Sequence, residues 1–353
     1  MKWDLFEKTE KRLYYMDIVR FFAIFFMVLS HVELMYANDK FYNSVLGAII
    51  DGLAGPPAAP VFMVTMGFFM IYTGKTDVTS GLKRGAKIFF IGIMLNVVRY
   101  ILPGLIKTWM TGEPHIVHST DMVENLLYLF WEVDILLFAG LAYGLTILLV
   151  QYKPKIVLPA VFFTVAICAP FLWGISTDNL VADLFLDLLW GDESHVAFPQ
   201  FPWLCYPILG AWIAILFQEA QGSDERPKTG KKIFLVGVLL IVIGGIITIF
   251  DLEGQLGDYY RTGTGATLLF SGFVIVWLIG FLNVMHWFKG HVKPLIQFVS
   301  ANLTSIYCIH WSILGWLILA LELNNYGGTV IFGLFAIVFP VSVLLSKYIR
   351  IKI

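Results

Sequence analysis

The feature that most constrains this chain is a succession of about ten apolar runs, each near 20 residues, separated by short segments that carry most of its charges. A hydrocarbon core roughly 30 Å thick asks for about 20 apolar residues per spanning helix. Only a helix or a closed barrel satisfies its own backbone polar groups there. The runs fall at about 15–36, 58–74, 84–103, 126–150, 155–174, 202–218, 232–250, 265–285, 295–320 and 329–348. They predict an all-α, polytopic membrane bundle forming one domain over 1–353, and they exclude a soluble enzyme and a single-pass receptor. Charged residues are only 14% of the chain, against about a quarter in soluble domains. Residues 42–56 read as an interfacial helix ended by Gly55-Pro56-Pro57, and 180–190 as a short amphipathic stretch closed by Trp190. The first run contains Asp17 and Arg20 and ends at no small-residue cleavage site, so it is expected to be a span and not a signal peptide.

Orientation follows from the basic residues. With the N-terminus inside, 19 of the 24 lysines and arginines fall in cytoplasmic segments, beginning with Lys2, Lys8, Lys11 and Arg12 and ending with Lys347, Arg350 and Lys352. The outer loops hold only Lys40, Lys107 and Arg261. This asymmetry predicts cytoplasmic termini, an even number of spans and residence in the plasma membrane. The loop before the sixth run is acidic, with Asp178, Asp183, Asp187, Asp192 and Glu193. A net charge of −1 leaves no basic stripe for nucleic acid.

Arg20 and Arg99, the two remaining basic residues, lie inside spans, and ionisable groups there are functional candidates by default. On a helix Arg20 and His31 are separated by about 20° in rotation and about 16 Å in height, and Asp17 lies within about 40° of the same face. His310 stands as far into the ninth run as His31 does into the first, so the two could share a depth. Arg99 reaches a similar level in the third run, one turn from Asn96, and Glu132 and Asp134 descend from the outer end of the fourth. Structural alternatives exist for each: a snorkelling Asp17–Arg20 pair, a packing role for His310, water-facing carboxylates at Glu132 and Asp134. His115, His118, His195, His286 and His291 fall on loops or span ends and read as solvated. Cys168, Cys205 and Cys308 lie in apolar runs at no metal spacing and read as packing residues. The chain has no H-E-x-x-H, phosphate loop or dinucleotide fingerprint, so no metal is expected. Gly244-Gly245 and Gly263-x-Gly265 read as helix-packing positions.

The stretch from Tyr15 to His31, with Asp17, Arg20 three residues on and His31 eleven after that, resembles the first span of the transmembrane acyltransferase superfamily. That superfamily includes the acyltransferase-3 and heparan-α-glucosaminide N-acetyltransferase-like proteins. Pro60 to Gly67, the basic approach Lys83-Arg84-Gly85-Ala86-Lys87, Val133-Asp134-Ile135-Leu136, Phe198 to Trp203 with Gly210-Ala211, and Ser300 to His310 are similar to its later motifs in order. Phe21-Phe22 after the arginine and Val32-Glu33 after the histidine depart from its pattern and leave the subfamily and acceptor open. The resemblance implies transfer of an acyl group, commonly acetyl, from cytoplasmic acyl-CoA to a hydroxyl or amine of an outer glycan or glycolipid. On that reading acyl-CoA is the co-substrate and the membrane bilayer, the donor and the acceptor are the partners; a homodimer is one assembly left open. Arg20 is expected to grip CoA phosphate with Asp17 orienting it, and His31 to act as general base. A transient acyl-imidazole on His31 stays open. His310, Asp134 and Tyr307 are expected to hold the acceptor or the oxyanion, with Trp203 at the acceptor's entrance and Arg99 beside it.

Two rivals remain at this level. A secondary transporter would use Asp17, Arg20, Asp134 and His310 as a proton or substrate path, though the halves of the chain show no evident similarity. A structural or signalling membrane protein would leave the intramembrane charges without purpose.

Overall fold

The computed structural model describes residues 1–8, 12–112, 118–119, 121–177, 179–220 and 224–351. Lys11, His115, Asp178 and Lys352 lie outside the described residues. Among the described residues the chain is helical, with no strand beyond isolated bridges joining Ala37 to Tyr326 and Val133 to Val196.

Helix α1 (Tyr14–Tyr36) fills the first run. The expected interfacial helix is two short ones, α2 (Asp39–Tyr42) and α3 (Val45–Ala54), started by side-chain caps from Asn38 and Ser44. The Gly55-Pro56-Pro57 turn leads into α4 (Ala59–Tyr72). Asp77 caps α5 (Val78–Asn96), which passes through a π-helical turn, Val97–Ile101, into α6 (Leu102–Thr111). Pro103 has a reason to sit just past that turn, since it cannot donate to the Arg99 carbonyl four residues back. The Val98 carbonyl released by the wider turn accepts from Trp316 Nε1 at 3.0 Å.

The fourth expected span, 126–150, is not one helix. It is α7 (Met122–Phe130) and α8 (Ile135–Val150), separated at Trp131–Asp134. One local and three long-range bonds favour the break: the Asp134 carboxylate caps the Ile135 N–H at 2.6 Å, and Val133 pairs through its backbone with His195, Ala197 and Phe198. Asn96 Nδ2 donates to the Phe130 and Glu132 carbonyls at 3.1 and 2.9 Å, groups the interrupted helix leaves open.

The chain continues through α9 (Pro154–Leu172), α10 (Leu180–Trp190), α11 (Gln200–Trp203), α12 (Cys205–Glu219), α13 (Glu225–Phe250), α14 (Leu252–Leu256) and α15 (Thr264–Val284). The ninth expected span, 295–320, is also divided, into α16 (Val292–Ala301) and α17 (Leu303–Leu317), at Asn302, whose Nδ2 folds back to the Phe298 carbonyl at 2.9 Å. Helix α18 (Gly328–Leu345) ends the bundle. Among the described residues eight helical segments are long and apolar enough to cross a membrane, α3–α4, α5–α6 and α11–α12 each running together as one; α8 and α17 are shorter apolar helices. This is the architecture of a multi-pass membrane protein.

Small residues set the closest helix pairs. A Cβ on Gly67 would lie 1.9 Å from the Pro207 carbonyl oxygen, and one on Gly210 1.9 Å from that of Val64, so α4 and α12 touch backbone to backbone. Gly244 brings α13 onto the α15 backbone, since a Cβ there would lie 2.6 Å from the Gly265 carbonyl oxygen, whereas one on Gly265 would meet the Ile247 and Gln255 side chains; Gly245 meets nothing within 4 Å. Of the cysteines, Cys205 and Cys308 are buried and Cys168 half-buried. Gly67→Ala and Gly210→Ala are each expected to cost about 1–3 kcal/mol by forcing α4 from α12. Gly245→Ala should be neutral or stabilising by up to about 1 kcal/mol. Thermal unfolding in detergent distinguishes them, and equal behaviour of all three would refute the close packing.

Candidate active site

Along α1, residues Met27, Ser30, His31 and Leu34 recur at helical spacing and line one wall of a cavity of about 210 Å³. Three turns nearer the N-terminus, Arg20 lines a second cavity of about 770 Å³. Phe62 of α4 belongs to both walls and stands between them.

The two cavities have opposite electrical character. The larger is lined by Arg20, Lys75, Arg84 and Arg350, beside Thr65, Tyr143 and Ser300, with no carboxylate among the described residues of its wall. The smaller has no lysine or arginine among the described residues of its wall; His31, Ser30 and Asp51 share it with Tyr42, Tyr259, Tyr260, Tyr307 and Phe198. Arg20 donates through Nε to Thr65 Oγ1 at 3.1 Å and lies over the Phe69 ring at 4.3 Å. Thr65 thereby fixes the guanidinium plane while engaging Nε alone.

His31 and His310 meet across α1 and α17, Nδ1 of His31 lying 2.9 Å from Nε2 of His310. Their shared depth was legible in the sequence; the contact was not. Nδ1 of His310 is 3.0 Å from the Ile306 carbonyl oxygen, which only accepts, so that nitrogen carries a proton. In a neutral His310, Nε2 is then the acceptor and His31 Nδ1 the donor. The Nε2 of His31 is left with its lone pair, the form a proton acceptor requires. The ring is held further by Trp311, 4.3 Å away centroid to centroid. Tyr36 ties the same helices together, its hydroxyl donating to the Leu314 carbonyl at 2.6 Å.

Behind this pair lies a buried charge network. Arg99 and Asp134 form an ion pair at 2.6 Å, with Arg99 1% exposed. Arg99 also donates to Asn96 Oδ1 at 2.9 Å and packs over Tyr100 and Trp311 at 4.3 and 4.7 Å. Tyr307 donates its hydroxyl to Asp134. Gly315 admits the Arg99 backbone, since a Cβ there would lie 2.1 Å from the Arg99 carbonyl oxygen. Asp134 is thus engaged by Arg99, Tyr307 and the Ile135 N–H together.

Several expected placements need revision. Asp17 is bonded to Arg12 at 2.6 Å and Ser300 Oγ at 2.8 Å, so it ties the start of α1 to the end of α16, where a pair with Arg20 was expected. Arg99 stands behind the His31–Trp311 contact, committed to Asp134, and not at the acceptor's side. Trp203 is one layer behind the smaller cavity: it packs on Phe198 and Tyr259 and donates Nε1 to the Tyr260 carbonyl at 2.7 Å, holding the wall and not the entrance. Tyr307 lines the smaller cavity, with its hydroxyl turned to Asp134. His195, read as solvated, is buried, stacked on Tyr128 and 2.9 Å from Asp187. Its neighbour His118 is half-buried between Ser194 and Glu132. Sequence reasoning passed over Phe62, Thr65, Asp51 and the Tyr259–Tyr260 pair. Only Asp51 offered a signal, an acidic residue on the apolar helix α3.

Residues 13–347 match the family model described as an acyltransferase domain, of the acyltransferase-3 type, nearly the whole chain. A curated relative, an amino-acid racemase of Enterococcus faecalis, is 20% identical over 242 residues, which cover 67% of this chain and 32% of that protein. The chain thus spans about a third of the length of that relative. The first-span spacing, the Phe198–Trp203 turn and the α17 stretch through His310 all fall inside the matched residues, and this chain belongs to the transmembrane acyltransferase-3 superfamily.

Proposed function

We propose that this membrane acyltransferase moves an acyl group, acetyl in the simplest case, from cytoplasmic acyl-CoA to a hydroxyl or amine of an outer glycan or glycolipid. The observation that supports it most is the pair of cavities meeting at Phe62: a cationic one holding Arg20 and, beyond the septum, one headed by His31. Four cations and no carboxylate among the described residues around the larger space suit a polyanionic donor. A guanidinium held through Nε keeps its two terminal nitrogens for phosphate oxygens. The basic end then faces the cytoplasm, as the lysine and arginine distribution suggests.

In this mechanism the thioester carbonyl reaches past Phe62 towards His31. The acceptor oxygen or nitrogen attacks the acyl carbon while His31 Nε2 takes its proton. The carbon–sulfur bond breaks, and the departing thiolate receives that proton to leave as free CoA. His310 acts as a positioning residue: by accepting from Nδ1 of His31 it keeps Nε2 basic and steadies the imidazolium formed in the transition state. Direct transfer satisfies this geometry, and an acyl-imidazole on Nε2 would use the same lone pair.

His31→Ala is expected to lower acyl transfer by at least about a hundredfold, while CoA still raises thermal stability; transfer at the wild-type rate would refute the assignment. Loss of charge-assisted phosphate bonds in Arg20→Ala should weaken CoA binding by about ten- to a hundredfold, with Arg20→Lys in between, and unchanged affinity in a CoA titration would remove Arg20 from the donor site. His310→Gln, whose side-chain oxygen can still accept from His31, should keep more activity than His310→Ala. The alanine variant's pH–rate profile should move as well. Identical rates and profiles for the two would mean that His310 serves packing alone.

A further inference from the structure

The wall of the smaller cavity is more particular than an acceptor site for any alcohol or amine requires. Its lining combines a carboxylate, Asp51, with the aromatic rings of Tyr42, Tyr259, Tyr260 and Phe198, with no lysine or arginine among the described residues. Tyr42 and Asp51 share this wall within electrostatic reach of each other. Tyr259 and Tyr260 lie with ring centroids 5.3 Å apart, and Phe198 is 5.1 Å from Tyr260, so the rings form one continuous surface. Aromatic faces around a carboxylate attract an organic cation through ring quadrupole and charge together.

A second acidic residue lies close to this wall. Glu33 of α1 is 1% exposed, and neither of its oxygens has a hydrogen-bond partner. It lies within electrostatic reach of both Asp51 and Tyr42. A buried, unpaired carboxylate is costly in an apolar setting, and a bound cation at the neighbouring cavity lowers that cost.

We propose that the smaller cavity is a cation-recognition site, in which Asp51 and the aromatic wall hold an ammonium group of the acceptor. A carboxylate that binds an ammonium keeps it protonated, and a protonated amine has no lone pair with which to attack. The group presented to His31 is then a hydroxyl of the same molecule, and the acceptor is an amino alcohol or amino sugar acylated on oxygen. The assignment of the attacking group rests on the acyl-transfer reading, whereas recognition of the cation does not. An acceptor bearing an extra carboxylate or phosphate at this position would be repelled by Asp51.

The test uses the full chain in detergent without any acyl donor. Thermal stability is followed against choline and against 3,3-dimethyl-1-butanol, a molecule of the same shape without the charge. A specific ligand of the folded state raises stability in a saturable way. Choline should stabilise the wild type, and the neutral analogue should act only at concentrations at least about tenfold higher. Asp51→Asn should weaken the choline response by a similar factor. Equal responses to choline and its analogue in the wild type would overturn the proposal without any variant, and an unchanged choline response in a folded Asp51→Asn would overturn the role of Asp51. Because no donor is present, failure of CoA to bind would count against acyl transfer and leave this result standing.

Discussion

The Arg99–Asp134 ion pair lies where three interrupted helices meet. Arg99 is on the π-helical turn of the third apolar segment, Asp134 caps α8 at the break in the fourth, and both are engaged by α17 through Tyr307, Trp311 and the gap at Gly315. A buried ion pair carries a desolvation penalty that its Coulomb attraction alone seldom offsets. Here Asn96, the Ile135 N–H and two aromatic faces supply further partners. Loss of one member of such a pair typically costs about 3–5 kcal/mol, because the other charge stays buried and alone. The pair therefore fixes the register of α17 against α5 and α8, and with it the position of His310.

From that register the chemistry of His31 follows. His310 is oriented by its own helix, through the Ile306 carbonyl, and passes this orientation to His31 as a choice of tautomer. In the proposed mechanism this histidine pair would take the part a carboxylate–histidine pair plays elsewhere, without adding another charge to the membrane interior. The charges beside the two cavities are also separated. Cations line the cavity on the Arg20 side, Asp51 lines the one on the His31 side, and Phe62 borders both.

Some of the site could be read from residue order. Arg20 and His31 lie on one helix, so their spacing and common face follow from helical geometry, and both do line cavities on that face. The equal depths of His31 and His310 followed from counting residues into two spans. Asp17 acts on Arg20 through charge alone, because Arg12, five residues earlier, and Ser300, on another helix, take its hydrogen bonds. Continuous spans at 126–150 and 295–320 were read from hydropathy, which is blind to a break when the residues around it are themselves apolar. Asp134 and Asn302 supply backbone hydrogen bonds that make those breaks affordable.

By itself the sequence determined the class of the protein: a chain this apolar, with charges confined to short segments, has to satisfy its backbone inside helices. It also determined the vertical order of the functional groups, since height along a helix grows by a constant rise per residue. Which helices are neighbours was decided only in the tertiary structure, by close backbone contacts such as Gly67 with Pro207 and Gly315 with Arg99. The His31–His310 contact, the partner of Asp134 and the septum at Phe62 all depend on that lateral arrangement. Hydropathy has no term for it, because in a lipid environment every apolar face is equally satisfied until shape and buried polar groups choose between them.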